Sequence, residues 1–420
     1  MSPFRVRVVF RNGAMMSVIQ ISSPAQETLT PAAAGSSHAT DRIHYLDNLR
    51  ALAMLLGVFL HGALAYANPT QIVWLVTDPQ SSVLVDASFN FIHLFRMGLF
   101  FLISGYFARL MITRRGLKSF VWNRTVRIAC PFVLFYPLLL ALLIGVTVFA
   151  MFYLSHPLGL MGVIVKAAKE NPQANRSQPW TTMHLWFLYY LMLFAALTVV
   201  LSRFREPKLD WFFCRPWLLA LVPMALLPGL LLCGIGIPPP ESFIPQFWPF
   251  LFYGLFYWAG WRLFGREASL TPLRPWIGRI AVISLVLFVP YYLLLPKLEA
   301  SILETGDMKH LSLPWHVVEA VLTVYLATLL TLLALLSGQR YLSRRSPVLR
   351  LASDASYWIY LVHLPVVCFL QTILAETPLV LVVKLLIALS GTFLFCFATY
   401  LVFVRYTPIG WMLNGKRSFP

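Results

Sequence analysis

Three ionisable residues interrupt a stretch otherwise fit for lipid: Asp47, Arg50 and His61, within YLDNLRALAMLLGVFLHGALAY at 45–66. The stretch is about long enough to span a bilayer. In an α-helix eleven residues make close to three turns, so Arg50 and His61 fall within about 20° of each other, about 16 Å apart along the axis. Asp47 stands one turn before Arg50, at the i,i+3 spacing that permits an ion pair. Ionisable groups in a membrane span are costly and usually face a cavity or a partner inside the bundle. An imidazole there can take the proton of an attacking hydroxyl. It can also attack an activated acyl group and carry it. The residues alone leave both routes open. The plainer role is an interfacial anchor at Asp47 and Arg50 with a hydrogen-bonded core histidine; the shared face favours function.

Other residues could complete such a site. A developing oxyanion needs fixed donors or positive charge, and Arg50 is far from His61 along one helix. Arg96 or His363, each on another apolar segment, could supply the charge. Ser356, Tyr360 and His363 share a helical face. For His93 and His363 the commoner fate is interhelical hydrogen bonding. Ser104 and Gly105 more often mean close helix packing than catalysis. Trp186, Trp248, Trp258 and Trp358 read as core or interface aromatics, with a sugar platform as the alternative. Glu319 lies in an apolar span and needs a partner, from an acceptor or from another helix. No GxxxxGK[ST] loop, HExxH pattern or GxSxG elbow is present, so ATP-driven transport and metal-dependent hydrolysis fit poorly. No metal site is expected.

The elements that must position these groups follow from composition. The 420 residues are 59% hydrophobic and only 12% charged, with a mean hydropathy of +0.73. A soluble domain is nearer 25% charged. The expectation is an all-α, polytopic integral membrane protein. Beyond 45–66, apolar stretches recur at 83–111, 127–154, 182–202, 216–236, 243–264, 277–296, 314–336, 354–374 and 379–404. They predict about ten transmembrane helices. Cys130, Cys214, Cys233, Cys368 and Cys396 are scattered and lack any CxxC pair, so they read as small buried hydrophobes.

Alternate connections are basic. One carries Arg114, Arg115, Lys118, Arg124 and Arg127; others carry Arg203, Arg205, Lys208 and Arg215, then Arg266, Arg274 and Arg279, then Arg340, Arg344, Arg345 and Arg350. The connection around GIGIPPPES has no Lys or Arg. This alternation predicts that both termini are cytoplasmic. It divides the chain into a disordered cytoplasmic tail at 1–41, a membrane domain at 42–410 and a short cytoplasmic tail at 411–420. Basic cytoplasmic loops are ordinarily topology signals or lipid contacts. The functional alternative is a seat for phosphates, which guanidinium forks bind bidentately. Acyl donors such as coenzyme A thioesters carry such phosphates.

Five ordered blocks carry a family resemblance: R-x10-H at Arg50 and His61, HLFRMGLFFLISGYF at 93–107, WNRTVRIACP at 122–131, HLWFLYYL at 184–191 and SYWIYLVHLP at 356–365. Together they resemble the membrane acyltransferase-3 family over most of 42–410. Within it, the combination of LDNLRALAMLLGVFLHGAL, FIHLFRM, HLWFL and IYLVHLP looks most like the glucan biosynthesis protein C group. The resemblance implies an enzyme of the bacterial inner membrane that moves an acyl group onto hydroxyls of an osmoregulated periplasmic glucan. The implied acyl group is succinyl, from succinyl-CoA as co-substrate, with no permanently bound cofactor. It implies catalytic roles for His61, Arg50 and Asp47, and donor contacts at Arg124, Arg127 and Arg96. His93, Ser104, Gly105, Trp186, Glu319, Tyr360 and His363 would support them. The implied partners are the acyl-CoA donor, a glycan acceptor and the bilayer, with glucan synthase components as further candidates and no nucleic acid. Another surface glycan or a lipid-linked sugar is the alternative acceptor. A proton-coupled transporter is the rival class, but no repeat relates the two halves of the chain, as such carriers often show.

Overall fold

The computed structural model describes residues 34–67, 74–170, 181–204, 221–305, 313–344 and 346–415. Most of the expected 1–41 tail lies outside them. So do Arg205, Lys208, Cys214, Arg215, Arg345 and the first part of the 216–236 segment. From Asp41 onward the chain forms one unit.

Among the described residues the architecture is helical, with one isolated antiparallel bridge between Thr181 and Ser242. The helices are α1 (Ala34–Leu64), α2 (Val83–Arg124), α3 (Cys130–Tyr153), α4 (Leu160–Glu170), α5 (Trp186–Leu201), α6 (Leu227–Cys233), α7 (Trp248–Leu263), α8 (Ile277–Thr305), α9 (Leu313–Tyr341), α10 (Pro347–Ala375), α11 (Leu381–Thr399) and α12 (Pro408–Asn414). Among the described residues, seven helical segments are long and apolar enough to cross a membrane. The protein is a multi-pass membrane protein.

One of the seven is the continuous run Val83–Tyr153, where the sequence pattern predicts two spans and a basic loop. At 1.5 Å per residue a straight helix of that length would reach about 105 Å, over three times the hydrocarbon thickness. It breaks instead at Gly116, whose φ of 79° and ψ of 167° are non-helical. Glycine takes such a conformation without steric penalty. The basic residues 114–124 are therefore helical rather than looped. A π-helical turn, Thr125–Ala129, follows and leads into Pro131. Proline has no N–H to return to the carbonyl four residues back, which here belongs to Arg127. The Tyr357 hydroxyl of α10 donates to that carbonyl at 2.6 Å. Freed carbonyls at membrane depth must find such a donor from a neighbouring element.

Close crossings set the bundle's spacing. A Cβ on Gly105 of α2 would meet the Tyr257 carbonyl of α7, and one on Gly260 of α7 would meet the Leu102 carbonyl of α2. Gly105 is thus a packing position, where small residues let helix backbones approach. Trp186 is buried and stacks on Tyr253 at 5.8 Å, so it serves the core rather than an open sugar platform. Tyr106 donates to Glu267, and Asn48 Nδ2 donates to the Leu342 carbonyl at 2.8 Å.

At the opposite end of α1 the return segment 74–82 is tied down by a buried ion pair. Lys384 Nζ of α11 lies 2.6 Å from Asp78 Oδ2, and both side chains are at most 3% exposed. Removing one member of a buried pair leaves an uncompensated charge and costs about 3–5 kcal/mol. Lys384→Met should therefore lower the unfolding midpoint of the detergent-solubilised protein markedly. The double variant with Asp78→Asn should recover most of the loss.

Candidate active site

The site is built where α1 ends. The last carbonyls of a helix have no intrahelical donor. Two of them, on His61 and Gly62, are capped by Gln371 Nε2 of α10 at 3.1 and 3.0 Å. Gln371 Oε1 in turn accepts from Trp74 Nε1 at 2.8 Å. Trp74 then stacks on the His61 ring at a centroid distance of 5.4 Å. One amide side chain thus fixes the His61 backbone and the aromatic wall beside its imidazole.

His61 Nδ1 lies 2.7 Å from His363 Nε2, with the rings within 4° of parallel. The direction of this bond is set by the other nitrogen of His363. His363 Nδ1 sits 2.7 Å from the Tyr360 carbonyl and 3.0 Å from the Ile359 carbonyl. Carbonyls only accept, so His363 Nδ1 carries the proton. In a neutral imidazole the other nitrogen is then a lone pair. His363 Nε2 therefore accepts, and His61 Nδ1–H donates. The consequence falls on His61 Nε2, which is left with a free lone pair, the form a general base requires.

A third histidine packs edge-on against this dyad. His184 and His363 have ring centroids 5.4 Å apart at 87°. His184 Nε2–H donates to the Leu361 carbonyl at 3.0 Å. That carbonyl is available because Pro365, four residues on, has no N–H to donate to it. The Tyr360 hydroxyl completes the clamp by donating to the His184 carbonyl at 2.8 Å.

Arg96 and His93 of α2 lie within electrostatic reach of His61. His93 Nε2–H donates at 2.9 Å to the carbonyl of Ile237, a non-glycine residue with a φ of 55°. Glu319 of α9 holds the same loop. It is 2% exposed, accepts from Thr323 Oγ1 at 2.8 Å and takes the Gly236 N–H. Glu319 therefore ties a helix to a loop. In that loop Glu241 is also enclosed: burial pushes its carboxyl up, and the Thr181 hydroxyl at 3.3 Å partly offsets this. Ser104, eight residues beyond Arg96, is about 12 Å further along α2 and away from the dyad.

The Arg50 end of α1 has a different character. Asp47 and Arg50 approach to 3.6 Å as the i,i+3 spacing predicts. They line a cavity of about 770 Å³ with Asn48, Arg344, Arg350 and Asp354. Arg124 and Arg127 lie within electrostatic reach of Arg50. Arg124 lies over the Phe120 ring at 5.2 Å, and among the described residues no carboxylate pairs with it. Arg127 is more committed: its Nη2 donates to the Asn414 carbonyl at the end of α12. The structure thus gathers Arg50, Arg124 and Arg127 at one end of α1, and His61, His93, Arg96, Tyr360 and His363 at the other. Sequence reasoning missed Gln371, Trp74 and the role of His184. The usable signal for His184 was Pro365, which leaves the Leu361 carbonyl open.

A helical membrane bundle with a basic pocket at one end of a polar helix and a base-ready histidine farther along it defines a class. The family described as "Acyltransferase domain", acyltransferase family 3, matches residues 43–401; the chain belongs to that family and is an O-acyltransferase. Among curated relatives it is 26% identical to the glucans biosynthesis protein C of Salmonella paratyphi B (strain ATCC BAA-1250 / SPB7), over 80% of this chain and 84% of that one. It is 32% identical to the protein of the same name from Escherichia coli (strain K12 / DH10B), over 39% of this chain and 40% of that one. No solved structure matches it significantly.

The bond direction generates a prediction for His363. Leucine there removes the acceptor that holds His61 Nδ1–H, and should lower acyl-transfer turnover about 10²-fold, a loss on the scale of general-base contributions. Glutamine can present Oε1 to the same proton and should restore much of that loss. Turnover and KM of the purified variants, at matched folded amounts, check both, and the change should fall on kcat rather than on acceptor KM.

Proposed function

We propose that this enzyme moves a succinyl group from a coenzyme A thioester, entering from the cytoplasmic face, onto hydroxyls of a periplasmic glucan. The observation that carries the reading is the free Nε2 lone pair of His61, fixed by the His363 bond on the same helical face as Arg50. The names of the relatives support glucan as the acceptor.

On this reading Arg50 and Arg124, with Arg127 behind them, face the donor's phosphates through charge-assisted hydrogen bonds. Asp47 orients Arg50. The thioester arm runs along α1 over the about 16 Å that separate Arg50 from His61. The acceptor hydroxyl approaches from the far side, beside Trp74. His61 Nε2 takes its proton as the oxygen attacks the thioester carbonyl. The C–O bond forms, the C–S bond breaks, and the leaving thiolate recovers the proton from His61. Arg96 supplies positive charge next to the acyl group. His93 and Tyr360 shape the walls, and His363 holds the base in its tautomer.

The proposal also requires an orientation. Counting the two arms of Val83–Tyr153 separately, and adding the 222–233 segment and Trp248–Leu263, gives ten crossings, which keeps both termini in the cytoplasm of a bacterial inner membrane. The alternating basic segments support this through the positive-inside tendency. Reporter fusions after Leu110 and after Lys416 should read as cytoplasmic, and one after Pro239 as periplasmic. A periplasmic signal at Lys416 would contradict the even count.

The chemistry is tested by acyl transfer to glucan in liposomes holding the purified protein. His61→Ala and His61→Gln should both insert normally and both lose turnover by about 10²–10⁴-fold, the range of a general base. Glutamine keeps a hydrogen-bonding shape but cannot take the proton. Substantial turnover by His61→Gln would return His61 to a structural role.

A further inference from the structure

Arg96 is an arginine at membrane depth without a counter-charge. No carboxylate among the described residues lies within its electrostatic reach; the hydroxyls of Tyr360 and Tyr253 do. Its Nε is buried and has no hydrogen-bond partner. An unpaired cation in such surroundings is costly, and a buried polar group left open calls for an explanation, of which a bound anion is one. The guanidinium lies in a notch made by Gly57, where any Cβ would collide with Nη1. Gly57 follows Arg50 by seven residues and precedes His61 by four, so all three share one face of α1. Arg96 therefore sits on the path from the Arg50 pocket to the catalytic histidine, about 6 Å short of it along the axis.

We propose that Arg96 is the specificity residue of the site: with the thioester carbonyl at His61, a dicarboxylic acyl group turns back beside the donor arm and the Arg96 guanidinium seats its free carboxylate. This rests on the acyl-transfer reading above and names the part of the site that chooses the acyl group. With C–C bonds near 1.5 Å, the two carboxyl carbons of a four-carbon diacid stand about 4 Å apart. A charge-assisted hydrogen bond adds about 2.8 Å. The sum, about 6.8 Å, is close to the axial offset of about 6 Å between Arg96 and His61. It exceeds what an oxyanion formed beside His61 Nε2 needs from its donor. A planar, bidentate fork is the group best suited to a carboxylate. His184 Nδ1 and His93 Nδ1 are likewise buried without partners, and their proton-bearing nitrogens face carbonyls. These two remaining atoms are acceptors, suited to sugar hydroxyls rather than to an anion. The open groups around the dyad thus divide into one anion seat and two hydroxyl seats.

The test compares succinyl-CoA with butyryl-CoA, which has the same chain length and no second carboxylate, using the full chain in liposomes with glucan as acceptor. Wild type should favour succinyl strongly. Arg96→Gln should lower the succinyl-to-butyryl rate ratio by about 10–100-fold, as expected for losing a hydrogen-bonded charge contact. Gly57→Ala keeps the arginine, improves helix propensity and pushes the guanidinium out of its notch. It should lower the same ratio by a smaller factor, and it guards against a misfolded Arg96 variant. A ratio unchanged within threefold in Arg96→Gln, with both rates falling together, would overturn the proposal and make Arg96 an oxyanion or structural residue. Equal use of the two donors by wild type would also overturn it while leaving acyl transfer standing. Transfer of neither group by wild type would defeat the underlying reading, and the seat with it.

Discussion

On the proposed reading, the chemistry of this protein depends on the direction of one hydrogen bond. His363 Nδ1 is held by carbonyls of its own helix, so its Nε2 can only accept, and the proton between the two rings belongs to His61. An aspartate would orient a histidine in the same way but would bring a charge into the bilayer. A neutral imidazole whose tautomer is set by helical carbonyls does it without one. The neighbouring groups then follow. Gln371 caps α1 at His61, Trp74 walls the ring, and His184 buttresses His363 from the side.

The absence of water at this depth explains how these contacts arise. Each freed backbone group must be satisfied from within the protein, and proline is a source of freed carbonyls. Pro131 releases the Arg127 carbonyl, which takes the Tyr357 hydroxyl. Pro365 releases the Leu361 carbonyl, which takes His184. Both contacts link α10 to another part of the bundle, one near the basic end of α1 and one beside the dyad. The prolines therefore act as sites of attachment, and helix distortion becomes a way of fixing side chains around the candidate site.

Much of this was legible in the sequence. Arg50 and His61 share a face because eleven residues make three turns. The i,i+3 pair of Asp47 with Arg50 forms, and Gly105 proves to be a helix crossing. The basic residues before Pro131 gather near Arg50. What was not legible depends on partners far apart in the chain. Gln371 is an ordinary polar residue until the end of α1 is laid beside it, and the Glu319 partner is a loop that periodicity does not place. The helical state of the basic stretch was hidden because its charge suggested a loop, whereas the break is confined to Gly116. Gly57 is silent in the sequence, since its importance lies in the arginine that crosses it from another helix.

The most direct measurement of the central claim is the tautomer of His61. In lipid-reconstituted protein carrying ¹⁵N-histidine, assigned by comparison with His61→Gln and His363→Gln, ring nitrogen shifts near neutral pH distinguish protonated from bare nitrogens. The account predicts protonated Nδ1 and bare Nε2 on both His61 and His363, with the His61 Nδ1 proton coupled across the bond to His363 Nε2. A proton on His61 Nε2 in the resting enzyme would contradict it, because the base would then face the acceptor already occupied.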